Sequence, residues 1–237
     1  MTIDWSRERI LILAPHPDDE TLGCGGLIRK AKDAGAEVYI QFITVGDTED
    51  NSARGPSTAQ ERYGEIKEVA DFFGWDGWDF AFPGDEYHLK LDVLSRFELS
   101  NAIERHSPLS VTTLKPTVVI TPHHTSYNQD HQATAEAVHT ALRPSDNRFR
   151  HHPRLVLAYE EAADQWRQDT APPPNFFVEL TEAQVDAKIE AMHLYGSQAH
   201  AHPHTRSDLT LRSLAALRGM HVGVPFAEGY HTLRCLV

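Results

Sequence analysis

Cysteine is scarce in this 237-residue chain, which contains only Cys24 and Cys235. Two cysteines do not make a disulfide framework, and such a composition is typical of a reduced, cytoplasmic setting. Long apolar runs are also lacking, since none approaches the roughly 20 residues of a membrane-spanning helix. The opening residues, MTIDWSRERI, lack the basic and then apolar build of a signal peptide. We therefore expect a cytoplasmic protein without a membrane span.

Basic residues are fewer than acidic residues: the chain has 22 Lys and Arg residues, 34 Asp and Glu residues and a net charge of −12. Nucleic acids and anionic membranes attract basic patches, so this balance argues against both as partners. A small anionic substrate is not excluded, because steering depends on the local potential. The chain also lacks internal repeats and any linker long enough to separate domains. We expect a single domain over residues 1–237.

Strand and helix patterns alternate through most of the chain. Strands are predicted over 9–14, 37–44, 78–82 and 117–122, and helices over 21–34, 57–74, 93–106 and 130–142. The last third predicts strands at 155–161 and 176–180, helices over 181–199 and 202–219, and a closing strand in AEGYHTLRCLV. This order predicts an α/β protein: a Rossmann-like layered fold with a mostly parallel central sheet flanked by helices, plus a C-terminal α+β extension packed on the same domain.

Two polar clusters follow buried strands of the predicted sheet. The first strand ends at PHPDD and the fourth at PHHTSYNQDH. Ligands of open parallel sheets bind beyond the carboxyl ends of the strands. Both clusters are therefore expected on the same rim.

The first cluster crowds carboxylates and an imidazole into five residues. His16 and Asp19 are three residues apart across a strand-to-helix turn, so both could ligate one zinc ion, which takes nitrogen or oxygen ligands and keeps a position for water. Asp18, between them, could take a proton from that water. The alternative is that Asp18 and Asp19 only cap a helix and complement its dipole. A phosphate-binding loop is excluded, because the dinucleotide fingerprint needs a glycine where this chain has Ile28.

The second cluster has to supply the third metal ligand. His131 opens the helix after the fourth strand, and Asp130 precedes it. A carboxylate beside a metal-binding imidazole fixes its tautomer and raises its basicity. The alternative for His131 is a surface histidine at a helix start, and the location on the same rim as PHPDD favours the ligand.

These motifs together resemble the zinc-dependent N-deacetylases of the LmbE / PIG-L superfamily. The resemblance rests on APHPDDETLGCGG, on NQDH, and on a C-terminal pattern in FFVELTEAQVDAKIEAMHLYGSQ, RSLAALRG and FAEGYHTLR, so it covers nearly the whole chain. It implies removal of an acetyl group from an N-acetylglucosamine-type sugar or sugar conjugate. Two alternatives stay open: hydrolysis of a non-sugar amide on the same scaffold, and a metal-retaining module that binds without turnover.

The resemblance also assigns roles within the motifs. It makes His16, Asp19 and His131 the ligands of one zinc ion per chain, with another divalent metal as the alternative, and Asp18 the general base. Asp130 becomes the supporting partner. A zinc-bound water with a pKa near 7 would attack the amide carbonyl after losing its proton to Asp18.

One position departs from the family pattern. Many members have a histidine three residues before the metal-binding histidine of this motif, where this chain has Asn128. An Asn side chain can donate a hydrogen bond to an oxyanion but is not an acid at neutral pH. We expect His231 to supply the missing imidazole, with a surface position on the last strand as the alternative; His123 and His124 are weaker candidates.

Three further expectations concern the surroundings of the site. Glu20 is expected to cap the first helix or hold the metal loop, and Arg54 to be a solvated loop residue rather than an anion ligand. Cys24 is expected to serve close packing of a glycine-rich helix start. The partner is a small-molecule N-acyl sugar or glycoconjugate of open identity, and assembly into a homo-oligomer is compatible with the resemblance.

Overall fold

A seven-stranded sheet organises the computed structural model, which describes residues 3–49, 55–166 and 172–237. The strand order is β3-β2-β1-β4-β5-β7-β6. The strands are β1 (Arg9–Ala14), β2 (Glu37–Val45), β3 (Gly77–Pro83), β4 (Val118–Pro122), β5 (Leu155–Tyr159), β6 (Phe176–Leu180) and β7 (Phe226–Cys235). β1 to β5 are parallel, whereas β7 runs antiparallel to both β5 and β6. The predicted α/β fold with a mostly parallel sheet is confirmed, and the closing strand is present.

Helices cover both faces of the sheet. They are α1 (Asp19–Ala34), α2 (Ala59–Phe73), α3 (Arg96–Asn101), α4 (Val111–Leu114), α5 (Gln129–Ala141), α6 (Glu182–Leu194) and α7 (Asp208–Val222). Residues of β1 alternate between the two layers: Ile10 and Ile12 pack with α1, α2, α6 and α7, and Leu11 and Leu13 pack with α3, α4 and α5. A strand buried on both faces reads as a continuous apolar run, which is why RILILA was recognisable. No helix in the described ranges is long and apolar enough to cross a membrane.

The two C-terminal helices differ from their predicted limits. The capping box at Thr181 opens α6 as expected, but this helix ends at Leu194 rather than near residue 199. α7 begins at Asp208, because the Ser207 hydroxyl accepts from the Thr210 amide and caps the helix there. It continues past the predicted stop at Gly219 to Gly223, which adopts the left-handed conformation of a helix end. The residues between α6 and α7, predicted as helix, form a loop.

Gly219 is explained by packing rather than by helix termination. A Cβ at this position would collide with the backbone carbonyls of Val224 and Pro225. The same holds at the start of α1, where a Cβ on Gly23 would overlap the Tyr159 ring, and where Cys24 is fully buried. Close packing is therefore the role of the glycine-rich helix start, as expected.

The position of β1 within the sheet creates the crevice in which the site lies. The chain passes from β1 outward to β2 and β3, then crosses back to place β4 on the other side of β1. Loops after β1 and β4 therefore leave in opposite directions, and ligands of doubly wound sheets bind at such a switch point. The PHPDD and PHHTSYNQDH clusters follow these two neighbouring strands, so they do share one rim.

Candidate metal centre and active site

Three buried side chains converge at the switch point. His16 follows β1, Asp19 is the first residue of α1, and His131 lies in the first turn of α5. A carboxylate oxygen of Asp19 lies 3.4 Å from His16 Nδ1 and 3.2 Å from His131 Nε2. One ligand atom from each residue lies within 4.8 Å of the others. The structure thus brings together the three residues predicted as metal ligands, and the donor set of two imidazoles and one carboxylate suits a catalytic zinc ion or another divalent metal.

The electrostatics of this cluster favour a positive charge at its centre. Burial by itself lowers the pKa of His16, but hydrogen bonds with Asp130 and Asp19 outweigh it and raise that pKa to about 9. Burial by itself raises the pKa of the Asp19 carboxyl, but the neighbouring His131 and His16 outweigh it and hold this pKa well below its usual range. Two buried carboxylates thus favour a cation at the site, and Nδ1 of His131 has no hydrogen-bond partner among the described residues.

Asp130 supports His16 rather than the adjacent His131. Its Oδ2 lies 2.9 Å from His16 Nε2, and its Oδ1 accepts a hydrogen bond from the Leu91 amide at 2.9 Å. The carboxylate is fully buried. This contact holds the His16 ring so that Nδ1 faces Asp19, and a carboxylate on the far nitrogen of a metal-ligating imidazole raises its basicity.

Asp18 occupies a strained backbone conformation between the two ligands of the first loop. Its φ of 110° lies in the left-handed region, which is uncommon for residues other than glycine and asparagine. Such strain persists where the surrounding structure enforces it, as at active sites. Asp18 is 1% exposed, and its Oδ2 makes no hydrogen bond with a described residue. Burial raises the pKa of Asp18, and the guanidinium of Arg206, 3.3 Å from Oδ2, opposes the rise.

Glu20 holds the loop that carries Asp18, as expected. Its carboxylate accepts hydrogen bonds from the Asp18 amide at 3.1 Å and from the Tyr195 hydroxyl at 2.9 Å. Burial raises the pKa of Glu20 to about 8, although the hydrogen bonds from Thr21 and Tyr195 act in the opposite direction. The strained turn is therefore attached to the C-terminal third of the chain through Tyr195.

Two arginines beside Asp18 were missed by sequence reasoning. Arg206 lies in the loop between α6 and α7 and donates to Gln198 Oε1 at 2.7 Å. Arg62, on α2, is 2% exposed and donates to the Pro17 carbonyl. The family-like Tyr-x-Ser-Gln pattern, which ends at Gln198, was the only sequence signal near Arg206. Arg62 stands in an ordinary amphipathic helix and had no signal. The predicted loop residue Arg54 lies outside the described residues.

Asn128 caps α5. Its side-chain oxygen accepts from the Asp130 amide at 2.8 Å, so its amide NH2 group is left as a donor. This fixes the first turn of the helix that carries Asp130 and His131. Its contact with an oxyanion stays a prediction.

His231 lies on β7 opposite Ala158 and packs against the ring of His123, with 4.2 Å between ring centroids. Both rings line a cavity of about 300 Å³ together with Glu160 and Arg218, and the three metal-ligand residues are not among its lining residues. Burial lowers the pKa of both imidazoles, that of His123 to about 4. The role of His231 in the reaction stays a prediction.

A second cavity, of about 240 Å³, adjoins Asp18. Its walls come from α1, from the loops after β2, β4 and β5, and from the loop between α6 and α7; they include Leu22, Thr48, Tyr127, Glu161 and Arg206. Arg206 connects this space with the Asp18 carboxylate. Asp18 and the three metal-ligand residues do not line this cavity themselves, so Arg206 is the contact between the two.

Comparison with known proteins shows which family has this fold and these motifs. The family model "PIG-L: GlcNAc-PI de-N-acetylase" matches residues 11–142, more than half of the chain and both halves of the metal centre. The diacetylchitobiose deacetylase of Thermococcus kodakarensis is 27% identical over 228 residues, which are 94% of this chain and 82% of that protein.

Solved structures show the same fold. N,N'-diacetylchitobiose deacetylase from Pyrococcus horikoshii has a TM-score of 0.68 at 24% identity, with 95% of this chain and 84% of that chain covered. GalB, a 4-carboxy-2-hydroxymuconate hydratase from Pseudomonas putida KT2440, has a TM-score of 0.65 at 19% identity, with 97% and 98% covered. A fold that carries two reactions does not define one. The family model and the converging site residues do decide the family: this chain belongs to the PIG-L family of de-N-acetylases.

Proposed function

We propose that the protein is a zinc-dependent hydrolase that removes the acetyl group from an N-acetylglucosamine-type sugar or sugar conjugate. The observation that carries the proposal is the buried cluster of His16, Asp19 and His131 with the strained Asp18 beside it. The relative from T. kodakarensis, a diacetylchitobiose deacetylase, supports the substrate class.

The chain's own residues divide the work of amide hydrolysis. A bound zinc ion would polarise the acetamide carbonyl and lower the pKa of water at the site. Asp18 takes the proton of the attacking water, since its Oδ2 accepts no hydrogen bond from a described residue. Protonated Asp18 then returns that proton to the departing amine. Asp130 keeps the His16 ring in place throughout.

Donors to the oxyanion are proposed from the sequence pattern. The amide NH2 group of Asn128, at the start of α5, is one candidate, and His231 is the imidazole candidate. Separate Asn128→Asp and His231→Ala variants distinguish them, because an aspartate keeps the oxygen that caps α5 and lacks the NH2 donor. Removal of one oxyanion donor lowers kcat by about 10²- to 10³-fold. The variant that loses kcat with an unchanged KM identifies the donor.

The proposal is tested by metal analysis and a substrate panel. Protein purified without chelators is expected to hold one zinc ion per chain, and to release acetate from N-acetylglucosamine or N,N'-diacetylchitobiose but not from aliphatic acetamides. Preference for the aliphatic amides would indicate a non-sugar amidase on this scaffold. Bound zinc without release from any compound would indicate a binding module. Absence of any divalent metal, with no activity after zinc addition, would overturn the proposal.

We also propose a single domain over residues 1–237, cytoplasmic localisation, and a small-molecule partner rather than a nucleic acid. Assembly into a homo-oligomer is compatible with these proposals and is measured by light scattering.

A further inference from the structure

Glu161 differs from the other buried glutamates of this protein. It follows β5, is 7% exposed, and its buried Oε1 has no hydrogen-bond partner among the described residues. Its chain neighbour Glu160 is bonded to the guanidinium of Arg218 through both oxygens. Glu65 accepts from Ser197, and Glu228 from Lys188. A buried carboxyl oxygen without a hydrogen-bond partner lowers the stability of the folded state. Its presence therefore needs an explanation other than stabilising the fold.

The location of Glu161 supplies that explanation. It lines the cavity of about 240 Å³ beside Asp18, with Arg206 and Tyr127 on the same walls. Cavities for drug-sized ligands measure about 300–1,000 Å³, so this space suits a single sugar ring. Burial raises the pKa of Glu161 well above its usual range, and the nearby Asp19 and Asp164 add to the rise. The fold therefore leaves a hydrogen-bonding group turned to a ligand-sized space.

The chemistry of these walls favours a neutral hydroxyl as the partner. The cationic Arg206 beside the space, together with the positive charge favoured at the metal centre, opposes a second cation. A hydroxyl both donates and accepts, so it can pair with a carboxyl group and a guanidinium at once. The ring of Tyr127, about half exposed, offers an apolar face for a sugar.

We propose that Glu161 is a specificity-determining residue, which hydrogen-bonds a ring hydroxyl of the sugar whose acetamido group lies at the metal centre. Arg206 donates to the same sugar from the neighbouring wall. This inference rests on the proposed function and adds to it the residue that distinguishes one sugar from another.

Deoxy sugars give a direct test. Wild type, Glu161→Ala, Glu161→Gln and the exposed control Glu179→Gln are compared on N-acetylglucosamine and its 3-, 4- and 6-deoxy analogues. Loss of a hydrogen bond to a buried polar group predicts about a 10- to 100-fold lower kcat/KM for Glu161→Ala, carried by KM. The deoxy analogue that lacks the hydroxyl bonded by Glu161 is expected to have a low kcat/KM with wild type. Glu161→Ala is expected to lower the kcat/KM of that analogue no further. Equal kcat/KM and equal discrimination in wild type and Glu161→Ala overturn the inference.

Stability separates this role from a structural one. Since Oε1 has no hydrogen-bond partner among the described residues, Glu161→Gln is expected to unfold at the same temperature as wild type or a higher one. A large drop in Tm for both variants would show that the residue supports the fold, and would overturn the inference.

Binding of the product sugar, glucosamine, separates failure of the inference from failure of the proposed function. Calorimetry on the zinc-loaded protein is expected to show weaker binding by Glu161→Ala than by Glu179→Gln. Active wild type with unchanged binding and kinetics in Glu161→Ala overturns the inference alone. Wild type that neither binds glucosamine nor releases acetate overturns both.

Discussion

The loops after β1 and β4 and the C-terminal third of the chain use buried charge in opposite ways. After these strands, His16, Asp19 and His131 form a buried group that could hold a metal ion. Where α6 meets β7, in the C-terminal third, a buried carboxylate already has its cation: Lys188 bonds Glu228 at 2.8 Å. Glu228 also accepts from the amides of Gly26 and Leu27 on α1, more than 200 residues away. The metal-ligand candidates thus come from the first region, and the Lys188–Glu228 pair of the other fixes α1, the helix that begins with Asp19.

The largest effect is expected at Asp18, the proposed general base. Asp18→Asn keeps the shape of the side chain, and asparagine tolerates the left-handed backbone of this position. Loss of a general base predicts about a 10²- to 10⁴-fold fall in kcat with bound zinc and Tm little changed. The control is Asp71→Asn, on the exposed face of α2. Retained activity in Asp18→Asn would contradict the assignment.

Breaking the buried ion pair of Lys188 and Glu228 is expected to lower the free energy of unfolding rather than kcat. Lys188→Met leaves Glu228 charged and buried without its cation, which typically costs about 3–5 kcal/mol. The exposed pair of Lys67 and Asp71 provides the control Lys67→Met, for which a change below about 1 kcal/mol is expected. Urea unfolding measures both. Equal losses for the two variants would remove the distinction between the regions.

The contact between Asp130 and His16 is expected to strengthen metal binding. Asp130→Asn weakens the contact with His16 Nε2 while keeping the size of the side chain. Removal of such a partner lowers metal affinity by about 10- to 100-fold. Competition with a zinc chelator gives the affinity, with Asp33→Asn on the exposed end of α1 as the control. An unchanged zinc affinity would show that His16 does not need this contact.

The smallest effect on stability and activity is expected at the hydrogen bond between Tyr195 and Glu20, which joins the C-terminal third to the Asp18 loop. Tyr195→Phe removes the hydrogen bond to Glu20 and leaves the ring packing intact. A net hydrogen bond contributes about 1 kcal/mol, so unfolding free energy is expected to fall by that amount, with a modest fall in kcat as the Asp18 loop loosens. Tyr39→Phe, which removes a partly buried hydrogen bond to Glu37, is the matched control. A loss of stability with no change in kcat would show that Glu20 holds the loop without Tyr195.

Much of the site was predictable because its signals are local. A buried strand followed by PHPDD places His16, Asp18 and Asp19 at a strand end whatever the rest of the chain does. The capping side chain of Asn128 likewise places Asp130 and His131 in the first turn of a helix. Short-range geometry made these residues candidates for a metal site, and the resemblance to the family assigned their roles.

Arg206 and Glu161 had no such signal. Arg206 lies in a segment predicted as helix, which forms a loop because Ser207 caps α7. Glu161 has the same residue type as Glu160, and only their contacts differ: one is bonded to Arg218, and the other faces a cavity. Residue type and periodicity carry no information on contacts between distant segments.

The order of the α/β layers, the strands beside the crevice and the candidate metal-ligating side chains follow from the sequence, because hydrophobic periodicity, helix caps and ligand chemistry act within a few residues. Only the tertiary structure shows that Asp130 contacts His16, that Arg206 lies beside Asp18, and that Glu161 Oε1 has no hydrogen-bond partner among the described residues. Those relations depend on how segments far apart in the chain are packed, and burial gives each charge its energetic weight.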